Sequence, residues 1–190
     1  MSLNCVTLSP ARQPTPLQDE ITVSTLDGVE LTLQIPDGPL RGTSSSGGSG
    51  GAKKLRETGR LYLTEQRLIF VAALPSKGAP SFESLSVPLT SLVSTKFEQP
   101  LLGANHLVFD LKATPGGGLV DVTRAEVRVK DKGLFHFASS LDKTRERAIY
   151  MKRQSAEEEE GLRSTPGPSG PSTPFAPGDV PAENPPGYDD

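Results

Sequence analysis

The stretch TGRLYLTEQRLIFVAA, residues 58–73, decides how the chain is read. Arg60, Tyr62 and Thr64 alternate with Leu61 and Leu63, so the two leucines share one face of a strand. Glu65-Gln66 is a short polar break. From Leu68 the run Leu-Ile-Phe-Val-Ala-Ala carries no polar residue, as expected of a strand buried on both faces. Two such runs across a short polar link form an antiparallel hairpin at the centre of a β-domain. An amphipathic helix competes, because Leu, Glu, Gln and Arg are good helix formers. The Leu61/Leu63 alternation and the β-branched and aromatic content favour strand.

Toward the N-terminus, residues 29–35 give the clearest alternation in the chain. Val29, Leu31, Leu33 and Ile35 interleave with Glu30, Thr32 and Gln34, which predicts a half-buried strand. Residues 21–26 form another β-type run, and the intervening Asp27-Gly28 predicts a tight hairpin turn, since both central residues of a type I′ turn need φ > 0. Residues 1–16 hold three prolines and no periodicity and are expected to be a disordered leader. The Gly/Ser tract at 42–52 reads as a flexible loop inserted between strands. Lys53, Lys54 and Arg56 follow it. They suit contact with anionic lipid, or simply the solvated edge of that loop.

Beyond the central hairpin, strand-like runs are expected at 82–89, 92–97, 106–113, 120–129 (with a bulge near Thr123-Arg124) and, last, 134–137. The period then changes. Phe137, Leu141, Ala148 and Met151 fall on one helical face, Ser139 and Asp142 resemble a weak capping box, and Gly161 is a plausible stop. Residues 161–190 hold eight prolines without hydrophobic periodicity. The expected organisation is a leader at 1–16, a folded β-domain at 17–154 and a disordered, acidic, proline-rich tail at 155–190.

Composition agrees with one domain flanked by unfolded ends: hydrophobic content is 34%, with 19 Gly and 18 Pro in 190 residues. The formal charge of −3 is unevenly spread, with 16 Lys/Arg against 15 Asp/Glu in residues 17–150 and 3 against 8 in 151–190. A near-neutral domain has no electrostatic footprint for DNA, so chromatin is expected to be met only indirectly, through partners. The lone Cys5 excludes an intrachain disulfide framework. No apolar run approaches the roughly 18–20 residues of a membrane span, and the start lacks a signal peptide's apolar core, so cytoplasm and nucleus are the expected locations.

Pro185-Pro186-Gly187-Tyr188 is the most informative motif. A polyproline II helix has three residues per turn, so Pro185 and Tyr188 align on one edge. The prolines can dock on an aromatic groove with little entropy left to lose, and Tyr188 adds an anchor that is apolar along its ring and polar at its tip. Pro-Pro-x-Tyr is the ligand pattern of WW domains. Chance occurrence in a proline-rich tail is the bland alternative. Catalysis has little to draw on. His106 and His136 are the only histidines, both in predicted strands, and no nucleophile elbow, Walker loop or HExxH occurs. No enzyme activity, cofactor or metal is expected.

Taken together, the chain resembles the WW-domain-binding protein 2 family. The resemblance rests on Gly59-Arg60-Leu61-Tyr62-Leu63-Thr64 with Arg67-Leu68-Ile69-Phe70, on Gln99-Pro100-Leu101-Leu102-Gly103-Ala104-Asn105, on Gly116-Gly117-Gly118, on the 133–137 run and on the terminal motif. It implies a GRAM domain of the pleckstrin-homology superfold: a mainly β, strongly bent barrel or sandwich of about seven strands with one C-terminal helix. It further implies an adaptor of transcription-coactivator type, whose partners are WW-domain proteins such as ubiquitin ligases or transcription regulators; a monomer is expected. A phosphoinositide- or membrane-binding module is the alternative, with weak attachment at most through Lys53, Lys54 and Arg56. Two departures stand out. The tail is short with a single motif, and the Gly/Ser tract lengthens a loop that is compact in the family.

Overall fold

The computed structural model describes residues 2–36, 53–74, 78–101, 103–112, 119, 123–129 and 133–163. It is mainly β: eight antiparallel strands in one sheet, followed by one long helix, consistent with a pleckstrin-homology-like sandwich. The strands are β1 (Ser2–Leu3), β2 (Thr22–Ile35), β3 (Lys53–Thr64), β4 (Arg67–Ala72), β5 (Ser84–Pro88), β6 (Leu92–Glu98), β7 (His106–Leu111) and β8 (Thr123–Val129); the helix is α1 (Leu134–Arg163). The spatial order is β1-β5-β4-β3-β2-β8-β7-β6. The predicted central hairpin is present as β3 and β4, with Leu61 opposite Phe70 and Leu63 opposite Leu68.

Inward alternation builds the core. Val29, Leu31, Leu33 and Ile35 of β2, Leu61 and Leu63 of β3, Phe70 of β4, Leu107 and Phe109 of β7, and Ala125 and Val127 of β8 bury their side chains together. Phe70 meets Phe82 with ring centroids 5.5 Å apart. The first turns of α1 cover this core with Leu134, Phe137, Ala138 and Leu141, spaced at the helical period. The helix packs against β2, β6, β7 and the 3-10 turn Leu89–Ser91.

Four expectations require correction. First, Asp27-Gly28 does not close a hairpin. β2 runs through it, and the register jumps from Leu26 opposite Leu61 to Val29 opposite Gly59, leaving two residues facing Arg60 alone. Only Gly28 takes positive φ (+62°), as in a bulge, whereas the hairpin turn needs it at both positions. Pairing of the 29–34 segment with β8 on one side and β3 on the other outweighs the local turn preference. Second, residues 134–137 open α1 and are not a strand; the Phe137 N–H bonds the Gly133 carbonyl at 3.0 Å. Four residues are too few to separate the two periods. Third, helix persists through Arg163, so 155–163 belong to α1, and Ser139 lies inside the helix and not at its cap.

The fourth correction concerns the leader. Ser2 and Leu3 pair with Ser86 and Leu85 at the sheet edge, and Asn4 Oδ1 accepts the N–H groups of Glu83 and Ser84 at 2.6 and 3.2 Å. Arg12 donates to the Ala72 carbonyl and to Glu83, both at 3.0 Å. Val6 and Leu8 lie over Tyr62, Ile69 and Val71 on the face of β3 and β4 turned away from the main core. The apolar run 68–72 of β4 has two faces to bury, and the N-terminal segment buries the second. Terminal segments stay ordered when tied down in this way. The expected Gly/Ser loop and residues 164–190 of the expected tail lie outside the described residues.

Candidate functional site

Pro185, Pro186 and Tyr188 also lie outside the described residues. The structure describes what leads up to them. After Ala148, the last α1 residue packed on the core, side chains 150–160 are all exposed. At about 1.5 Å per residue, the helix carries the chain roughly 22 Å from Ala148 to its end at Arg163.

Lys53, Lys54 and Arg56 lie at the start of β3, opposite Ile35, Gln34 and Thr32. Strand alternation puts Lys54 and Arg56 on one face and Lys53 on the other. Arg56 is ion-paired with Glu30 across the β2–β3 ladder. The three cations therefore do not converge, and one is already neutralised.

A cleft of about 410 Å³ opens beside the β2 bulge, lined by Arg12, Asp27, Gly28, Arg60, Tyr62 and Leu74, among others. Arg60 is ion-paired with Asp27 and reaches the Tyr62 hydroxyl at 3.5 Å; these two contacts raise the guanidinium above its ordinary value. Arg12 is held by Glu83, while its Nε–H is the one buried side-chain nitrogen without a partner among the described residues. With each arginine matched to a carboxylate, this cleft suits an uncharged polar group, such as a peptide amide, better than a phosphate.

At the base of the N-terminal segment lies a buried pair that the sequence reading missed. Arg67 Nε and Nη2 grip Glu20 Oε1 and Oε2 at 2.8 and 2.9 Å, with side-chain exposures of 13% and 0%. Glu20 also accepts the Thr64 hydroxyl at 2.7 Å and the Leu17 N–H at 2.6 Å, and Arg67 reaches the Thr15 carbonyl at 3.2 Å. Burial by itself pushes the Glu20 carboxyl up; hydrogen bonds from Arg67, Leu17 and Thr64, with the Arg67 charge, outweigh it and hold the carboxyl below 4.5. The two residues are 47 positions apart, so no local signal pairs them. Glu98 is likewise held below 4.5, first by Lys96, with His106 Nε2 also 3.1 Å away. His136 is exposed on α1. Among the described residues no cluster of His, Cys, Asp or Glu could hold a metal ion, and no helix is long and apolar enough to cross a membrane.

No protein-family model matches the chain. It is 25% identical over 145 residues to a UPF0664 stress-induced protein of Schizosaccharomyces pombe, covering 75% of each chain. It is 37% identical over 68 residues to WW domain-binding protein 2 of Homo sapiens, a match spanning 36% of this chain but only 23% of that protein. The similarity to a WW-binding protein is thus partial. A chain of the solved structure described as the 8S snRNP assembly intermediate aligns over 67% of this chain and 80% of its own length, at 14% identity and a TM-score of 0.37, which is too loose to bear on fold or function.

Proposed function

We propose that this protein is a non-enzymatic adaptor that binds WW-domain proteins through Pro185, Pro186 and Tyr188. The observation that carries the reading is the Pro-Pro-Gly-Tyr motif in a chain partly similar to a WW domain-binding protein. The β-domain is the body of the adaptor, and α1 is its stalk, delivering the chain that follows Arg163 away from the core. WW domains of ubiquitin ligases or transcription regulators are the partners in view, with coactivator-type work in nucleus and cytoplasm. The membrane reading gains nothing from Lys53, Lys54 and Arg56, which are divided between two faces.

The test is titration of a peptide covering residues 176–190 into a panel of WW domains, beside the same peptide with Tyr188→Ala. Saturable binding lost on substitution supports the reading. Equal affinities of the two peptides for every domain refute it.

A further inference from the structure

A groove of about 430 Å³ runs between α1 and the strand edge on which it rests, its lining including Val93 and Lys112 on one side and Arg145, Ile149, Lys152 and Arg153 on the other. Four of these residues are cations and none is a carboxylate. Arg145 spends its Nε–H and one Nη–H on the Leu92 and Val93 carbonyls, both at 3.0 Å, so it pins the helix to β6 while its charge stays uncompensated. Lys112, Lys152 and Arg153 have no ion-pair partner among the described residues. Glu157 stands four residues on from Arg153, a spacing that favours an ion pair, yet none forms. Between the cations the groove is apolar: Ile149 is half-buried and Val93 is 60% exposed. A site with this lining selects an extended segment that combines carboxylates with an aromatic or aliphatic side chain.

The chain supplies such a segment. Residues 179–190, DVPAENPPGYDD, carry Asp179, Glu183, Asp189 and Asp190, no Lys or Arg, and Val180 and Tyr188 as apolar anchors. Reach is no obstacle. The groove's midpoint near Lys152 lies about 16 Å back along the helix from Arg163, and the fifteen intervening residues 164–178 span up to about 50 Å when extended. Contacts between exposed charges are individually weak, but a tether raises the local concentration of the segment to roughly millimolar, where weak contacts suffice.

We propose that the groove between α1 and β6 is a binding site for an acidic, aromatic peptide and that its resident occupant is this chain's own 179–190 segment. Docking holds Tyr188 against the body and competes with WW domains for the same ring; this consequence rests on the WW-binding reading, whereas the docking itself does not. A WW domain must then displace the groove, and the apparent affinity falls by the undocked fraction: about tenfold if nine-tenths of the molecules are docked.

Carbodiimide cross-linking of the full chain, followed by peptide mass spectrometry, tests this without any WW domain. The expected products are amide links within one chain from Lys112 and Lys152 to Asp179, Glu183, Asp189 or Asp190, well above links from Lys53 or Lys54. Arg153→Glu, on an exposed helix face, should abolish the Lys112 links while circular dichroism stays unchanged. An equal spread of tail links over all lysines overturns the proposal, as does their absence. A mixture of isotopically light and heavy chain reports links between chains; if these dominate, the occupant is a second copy and the proposal fails. It fails too if tail links are missing while phosphatidylserine vesicles bind the full chain and not Arg153→Glu. In a separate arm, Arg153→Glu should raise the full chain's affinity for a WW domain toward that of the free 176–190 peptide. A peptide that binds no WW domain removes the adaptor reading and leaves the cross-links to judge the groove.

Discussion

Replacing Arg67 with Met should cost far more than the loss of a surface charge, because of what it leaves behind. Four donors converge on the Glu20 carboxylate, two of them from the Arg67 guanidinium, and the Glu20 side chain has no exposed surface. Arg67→Met removes the countercharge and strands a buried anion on the Leu17 N–H and the Thr64 hydroxyl. Removing one partner of a buried pair costs about 3–5 kcal/mol, whereas replacing both with well-packed neutral groups is often close to neutral. For a domain of this size about 2–4 °C of Tm accompanies each kcal/mol, so Arg67→Met should melt roughly 6–20 °C below the parent at neutral pH. Glu20→Gln/Arg67→Met should lie well above the sum of the two single losses, giving a large coupling term. The pH dependence is directional. Glu20 is held below its unfolded value of 4.5, so its contribution is complete above that pH and is lost as pH falls through the folded value. The stability gap between parent and Glu20→Gln should therefore narrow on acidification. Thermal melts across pH, with hydrogen exchange over residues 2–20, are the assay. An Arg67→Met melt within about 2 °C of the parent, or a double variant whose cost is the plain sum of the singles, refutes the reasoning.

Two glycines should separate conformation from space. At Gly59 an added Cβ falls 2.1 Å from the Val71 carbonyl oxygen and 2.9 Å from the Ala72 Cα, both backbone atoms that cannot move without parting β3 from β4. At Gly28 nothing lies within 4 Å and only the φ of +62° opposes a side chain. Denaturant melts should rank Gly59→Ala as the worse variant, at or beyond the top of the roughly 1–3 kcal/mol range for overpacking, with Gly28→Ala costing about 1–2 kcal/mol. Deleting residues 2–16 should lower Tm and expose Tyr62, Ile69 and Val71, read as new binding of a hydrophobic dye. Unchanged melting and no dye binding would mean that the N-terminal segment is not the cover of β4.

Wherever burial is one-sided and the repeat is long, the residues announced their structure. The alternation through Val29, Leu31, Leu33 and Ile35 is the core face of β2, and the 58–73 stretch holds the β3–β4 hairpin. Short or conflicted segments did not. Asp27-Gly28 has the chemistry of a tight turn, and 134–137 is apolar enough to be strand or helix. The choice was made by neighbours: β3 and β8 both pair with β2 from Val29 onward, and Leu134, Phe137, Ala138 and Leu141 meet the core at helical spacing.

The candidate sites divide in the same way. The Pro-Pro-Gly-Tyr motif can be named from sequence because the ligand pattern proposed for it is a run of neighbouring residues. The Glu20–Arg67 pair joins positions 47 apart, and the α1–β6 groove collects Lys112 from just past the end of β7 and Arg145, Lys152 and Arg153 from a helix. Composition along the chain cannot reveal such gatherings, since only packing decides which distant charges come together. The apolar run of β4 required a cover on each face from the outset. That the second cover is the proline-bearing N-terminal segment was settled by tertiary contact, because a short segment without periodicity acquires its order from the surface it shields.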